Sequence, residues 1–150
     1  MIRWMLYVAI LIALLLVPLK QADVAKLQPV QTVCVYYNEI DYVIKTDTGA
    51  EGRGVGIIEA LADLVETTPA VVYLDTADFV LLSPNAQVAI EQLRGVLKDS
   101  VELYFYEGEP DLKEVSKYLE IHGKGTVLKM WKNGVKVPVL ECQNSRIIVS

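Results

Sequence analysis

The chain has 150 residues and a formal net charge of -5, from 14 Lys and Arg against 19 Asp and Glu. A hydrophobic fraction of 53% excludes intrinsic disorder, and the length is sufficient for one domain with its own core. The acidic balance argues against a nucleic-acid-binding protein, while two Cys and one His exclude a multi-cysteine zinc site and most His-based catalysis.

The first element in chain order is an uncharged apolar run from Trp4 to Leu19, between Arg3 and Lys20. A short basic start followed by such a run is typical of a signal peptide or a signal-anchor. Neither Ala22 nor Ala25 has a small residue two positions before it, as a signal-peptidase site requires. We therefore expect an uncleaved anchor; cleavage would instead give a secreted domain.

This interpretation divides the chain into an anchor or signal peptide (1–19), a linker (20–30) and a single domain (31–150). Residues 2–20 would contact the membrane. Because positive charge stays on the cytoplasmic side, the domain is expected outside the cytoplasm.

Within the domain, β-branched and aromatic residues predict a hairpin of two strands followed by a glycine-rich loop. Apolar residues at helical spacing then predict a helix over Ile57–Glu66, and two further helices begin at Ser83-Pro84 and at Pro110-Asp111. Between and after the helices we expect strands at Ala70–Leu74, Phe79–Leu82, Val101–Tyr106, Thr126–Trp131, Val135–Cys142 and Arg146–Val149, with a hairpin turn at Asn133-Gly134.

The resulting order is ββαβαβαβββ, preceded by the N-terminal hydrophobic helix. It predicts an α+β domain in which a mixed sheet carries its helices mainly on one face.

Two segments of the predicted loop resemble functional motifs. Asp47-Thr48-Gly49-Ala50 is similar to the active-site signature of retroviral-type aspartic proteases, in which two such aspartates share a proton. Gly52, Gly54 and Gly56 precede a helix, whose first amide groups could hold a small anion. Turn and backbone geometry explains both segments without any chemistry, so an Asp47 protease and an anion-binding domain at Gly52–Gly56 remain alternatives.

Other candidate residues point to interaction or to redox chemistry. Asp75 and Asp78 interrupt two apolar stretches, and Tyr104 and Tyr106 lie on a predicted strand, so these four side chains are our candidates for contacting a protein partner. No set of residues predicts a metal or a cofactor. Outside the cytoplasm, the two cysteines, Cys34 and Cys142, could form a disulfide.

The segments 54–61 and 67–74, together with the strand and helix order that follows them, resemble a known family over about residues 32–108. This family is the N-terminal domain of the C-subunit lipoproteins of bacterial spore-germination nutrient receptors. The resemblance implies a membrane-tethered, outward-facing, non-catalytic module from a spore-forming bacterium, and it transfers no functional residue. This chain differs in having no cysteine for lipidation after the apolar run, and in being much shorter.

The anchor, the acidic domain and the lack of a catalytic set together predict a non-enzymatic interaction module. It would be membrane-tethered and outward-facing, in a complex of the bacterial envelope or spore membrane. Its protein partner is unknown, and we expect no nucleic acid to bind.

Overall fold

A computed structural model describes residues 7, 27–132, 134–143 and 146–150. The predicted anchor therefore lies outside the described residues, apart from Tyr7, and so does Asn133 of the predicted turn. Among the helices that are described, none is long and apolar enough to cross a membrane.

The fold is an α+β domain built around a mixed sheet, as the sequence predicts. Three α-helices are described, α1 (Ile57–Thr67), α2 (Ala89–Leu93) and α3 (Leu112–His122). The strands are β1 (Leu27–Pro29), β2 (Thr32–Tyr37), β3 (Tyr42–Thr46), β4 (Glu51–Gly54), β5 (Val71–Tyr73), β6 (Phe79–Leu82), β7 (Glu102–Gly108), β8 (Thr126–Val127), β9 (Val139–Gln143) and β10 (Arg146–Val149).

The main sheet has the order β10-β9-β7-β6-β2-β3-β4, and β8 pairs beside β9 along β7. Its centre is parallel, because β2, β6, β7 and β9 run in one direction, whereas β3, β4, β8 and β10 are antiparallel to their neighbours. The central strand β6 is buried along its whole length, which explains its continuous apolar sequence. A separate parallel pair, β1 with β5, brings the end of the predicted linker onto the domain.

Helices cover both faces of the sheet. Buried residues of α1 and α2 form one core cluster with β2, β3 and β6, to which Leu128, Trp131 and Val137 also belong. Helix α3 forms a second cluster on the opposite face, through Val115 and Leu119. Helices α1 and α2 therefore share one face of the sheet, as predicted. Helix α3 lies on the other face and makes the domain three-layered.

Five local predictions were wrong. The helix predicted to begin at Ser83-Pro84 has only a 3-10 turn there (Pro84–Ala86), and α2 begins at Ala89. The strand predicted over Val135–Cys142 begins only at Val139. The glycine-rich loop contains strand β4, because a tight turn at Thr46–Ala50 returns the chain to β3. The predicted strand Thr126–Trp131 stops at Val127 and continues as a 3-10 turn. The hairpin at Gly134 does not form either, since in the described chain β8 and β9 each pair with β7 rather than with each other.

Helix α1 lies directly against the backbone of β4. A Cβ atom added to Gly52 would lie 2.2 Å from the carbonyl oxygen of Ala60 and 2.4 Å from the amide nitrogen of Leu64. At Gly54 the added Cβ would lie 2.4 Å from the Ala60 nitrogen. Only glycine leaves room for such a close approach of helix and strand.

We expect Gly52→Ala to destabilise the protein by about 3 kcal/mol or to prevent folding, because the new methyl group meets rigid backbone rather than a mobile side chain. Urea unfolding followed by circular dichroism measures this. Gly95→Ala is the matched control, since its nearest contact would be 3.8 Å away. Equal stability of the two variants would contradict the packing described here.

Candidate functional site

The protease-like residue Asp47 has a structural role. Its two carboxylate oxygens accept hydrogen bonds from the Gln31 amide at 3.2 and 3.3 Å. Its own amide donates to the Thr32 carbonyl at 3.1 Å, and Gly49, at φ +91°, closes the turn by donating to Thr46. The motif therefore forms the β3–β4 turn and fastens it to the start of β2.

We expect Asp47→Ala to lower the free energy of unfolding by about 1 kcal/mol, since the Gln31 amide loses its acceptor. Chemical denaturation measures the change. Asp75→Ala, at an exposed carboxylate, is the control and should stay within about 0.5 kcal/mol of wild type. If both variants were equally neutral, the fastening role of Asp47 would be excluded.

The space beside the glycine segment Gly52–Gly56 is likewise filled by residues of α1. Gly52 and Gly54 face α1, as described above. At Gly56, an added Cβ would lie 2.5 Å from Oε2 of Glu59, a carboxylate in the first turn of the helix. A negative side chain thus already lies at the positive end of α1, where a bound anion would have to be.

Two of the four predicted contact residues are inaccessible. Tyr104 is fully buried and Tyr106 is 9% exposed, because both point under α3. Asp75 and Asp78 are exposed, and Asp78 forms an ion pair with Lys98. Of the predicted set, only the two aspartates are therefore available to a partner.

Tyr104 belongs to a network that the sequence analysis missed. Its hydroxyl donates to Oε2 of Glu102 at 2.7 Å, and the same oxygen accepts from the Gly125 amide at 3.0 Å. Burial, followed by the hydrogen bond to Glu102, raises the pKa of the Tyr104 phenol well above its usual range. The network fixes the chain where it leaves α3 for β8. In the sequence, the only indication of this network is that Glu102 and Tyr104 are two residues apart on one predicted strand.

A cavity with a volume of about 490 Å³ lies between α3 and the sheet. Cys34 and Tyr36 from β2, Lys45 from β3 and Tyr106 from β7 line it, and the β7–α3 connection closes one side. Alternation along the strands places these side chains on the same face. Sequence reasoning could not find the cavity, because it requires the pairing of β2 with β3 and the position of α3.

Three ionisable side chains of this cavity, Cys34, Tyr106 and Lys45, are protonated at neutral pH. Burial raises the pKa of the Cys34 thiol to about 11, against a smaller opposing effect of its hydrogen bond with Tyr106. Burial also raises the pKa of the Tyr106 phenol, and a hydrogen bond with Tyr36 raises that of the Lys45 ammonium. A protonated thiol, phenol and ammonium donate hydrogen bonds, but none of them is a ready nucleophile or base.

The two cysteines, which could have formed a disulfide, are free thiols in the structure. Cys34 is on β2 and Cys142 on β9, and β6 and β7 lie between these strands. Three strand spacings amount to roughly 14 Å, whereas a disulfide requires Cα atoms within about 7 Å.

Because of the Cys34 thiol, the free energy of unfolding should fall at alkaline pH. In the folded protein its pKa is about 11, against 9.0 for an unperturbed thiol. Between these two values only the unfolded state loses the proton, so stability declines across this window by up to about 3 kcal/mol. Urea midpoints of wild type and Cys34→Ala at several pH values test this. Burial also raises the pKa of the less buried Cys142 thiol, so Cys142→Ala should flatten the curve less than Cys34→Ala does. The wild-type midpoint should fall more steeply than that of Cys34→Ala; parallel curves would contradict it.

Comparison with protein-family models, with curated proteins and with solved structures finds no match. Within the described chain, no group of three or more His, Cys, Asp or Glu side chains is arranged to hold a metal ion. The function must therefore be inferred from the chemistry and the surface of the domain itself.

Proposed function

We propose that this chain is a membrane-tethered, outward-facing module that binds another protein and catalyses no reaction. The complex would belong to a bacterial envelope or spore membrane. The main support is five exposed apolar side chains on or next to α1 and β5. They are Val55, which lies between β4 and α1, Ile58 and Val65 on α1, and Val71 and Tyr73 on β5, and they are called the α1–β5 surface below.

The helix shows why this surface is not simply the edge of the core. Ile57, Ala60 and Leu64 already form the buried stripe of α1. Ile58 and Val65 lie on another side of the helix, with 72% and 62% of their surface exposed. Ile58 and Val65 are two helical turns apart and therefore share one side of α1, and neighbouring exposed apolar side chains are typical of contact surfaces.

The position of β5 relates this surface to the predicted anchor. β5 pairs with β1, which begins at Leu27, and seven residues separate Leu19, the end of the apolar run, from Leu27. Even fully extended, such a connection spans only about 28 Å. If the run is in the membrane, β5 is held close to it.

The charges near this surface favour a protein over the lipid bilayer itself. Glu59 and Glu66 are exposed on α1, and Asp75 is exposed just after β5. Negative side chains are repelled by anionic lipid headgroups. A protein partner with an apolar contact area and basic residues around it fits the α1–β5 surface better.

Expression of the full chain in a bacterial host tests the tether. We expect the chain to keep Met1, to sediment with membranes and to be released by detergent but not by salt. Membrane fractionation with N-terminal sequencing gives the answer. A soluble chain with a new N-terminus near residue 23 or 26 would contradict the tether and make this a secreted domain.

A photocrosslinking amino acid at Ile58 tests the contact in the bacterium that makes this chain. We expect one dominant adduct with a protein, abolished by Val65→Asp. The same crosslinker at Ile121, which is exposed on α3, should give no such adduct. Adducts with lipid only, or equal adducts from both positions, would exclude a protein contact at α1.

A further inference from the structure

The two edges of the main sheet differ in how their outward main-chain groups are satisfied. At the β4 edge, side chains of α1 lie against two of the outward main-chain groups. Oδ2 of Asp63 accepts from the Arg53 amide at 2.8 Å. The Thr67 hydroxyl donates to the Asp63 carbonyl at 2.7 Å and lies 3.2 Å from the Glu51 carbonyl. This edge is closed to a further strand, as edge strands in stable monomers commonly are.

The β10 edge is open in the described chain. Val139 and Ser150 exchange both main-chain hydrogen bonds, at 3.0 and 2.9 Å. In an antiparallel pair the bonded positions recur at every second residue, so Ile148 and Arg146 also direct their groups toward β9. The N–H and C=O groups of Ile147 and Val149 consequently point away from the sheet, and among described residues β10 pairs with β9 alone.

The sequence of β10 contains little that would prevent pairing. Three consecutive β-branched apolar residues, Ile147 to Val149, follow a single charge at Arg146, and the strand contains no proline. Ile148 is 55% exposed. A charged or proline-containing edge would be expected if the strand had to remain alone.

We propose that β10 pairs with β10 of a second copy of this chain, antiparallel and about a two-fold axis at Ile148. In this register Ile147 of each copy lies opposite Val149 of the other copy. The two residue pairs together form four main-chain hydrogen bonds, which use all the outward N–H and C=O groups of both residues.

The side chains suit this register as well. Ile148 lies opposite its own copy at a non-hydrogen-bonded position, where side chains approach most closely. Arg146 lies opposite Ser150, so no like charges face each other across the pair. Such a self-complementary contact is the usual basis of a two-fold dimer. It is independent of the partner proposed above, because α1 lies at the opposite end of the sheet.

Disulfide trapping in the detergent-solubilised full chain tests this pairing. Ile148→Cys should form a covalent dimer under mild oxidation, since the two introduced thiols would face each other across the axis. Val55→Cys is the control, because Val55 is 78% exposed and lies next to the closed edge. We expect at least tenfold more dimer from Ile148→Cys, and wild type reports any contribution of Cys34 and Cys142.

A second substitution distinguishes strand pairing from disulfides that form when two chains collide at random. Val149→Pro removes an outward N–H that β9 does not use, so the domain should keep its circular dichroism spectrum. Combined with Ile148→Cys, it should reduce the covalent dimer to the level of Val55→Cys. Trapping of Ile148→Cys no greater than that of Val55→Cys, or trapping unaffected by Val149→Pro, would overturn the proposal. The first outcome would also be seen if a strand of another protein occupied the edge.

Discussion

The contact between the backbone of helix α1 and strand β4 is the constraint on which the rest of the structure depends. Gly52 and Gly54 leave no side chain on the face that meets the helix, so Ala60 and Leu64 approach the strand directly. This close approach places Asp63 and Thr67 beside the outer edge of β4, where the Asp63 carboxylate accepts from the Arg53 amide and the Thr67 hydroxyl lies beside the Glu51 carbonyl. The same glycines that resembled an anion-binding loop thus dock a helix and close one edge of the sheet.

The contact between α1 and β4 determines which parts of the surface are available for binding. With the β4 edge closed, exposed apolar residues are left on the outer side of α1 and on β5, and free main-chain groups are left at β10. Asp47 fastens the β3–β4 turn, and the thiol and phenol of the α3 cavity are protonated. The described residues therefore offer exposed apolar side chains and free main-chain groups for binding.

Much of the fold could be predicted from the sequence, because periodic segments specify their own structure. Helix α1, the strand β2 and the β10 segment lie where their apolar patterns place them. Strand β4 could not be predicted, since Glu51-Gly52-Arg53-Gly54 has no strand pattern and is a strand only because β3 and α1 hold it. The burial of Tyr104 and Tyr106 depends on α3 crossing this face of the sheet, a long-range fact that no local pattern contains. For the same reason the cavity at Cys34 and Lys45 was not foreseen.

The central claim is that α1 closes one edge of the sheet and that the other edge is open to a second copy. Residue-specific amide hydrogen exchange, measured by nuclear magnetic resonance at several protein concentrations, tests it most directly. The Arg53 amide should exchange slowly at every concentration, because Asp63 accepts its hydrogen bond within one chain. The Ile147 and Val149 amides should exchange rapidly in dilute protein and slowly in concentrated protein. Rapid exchange at Arg53, together with concentration-independent exchange at Ile147 and Val149, would contradict the account.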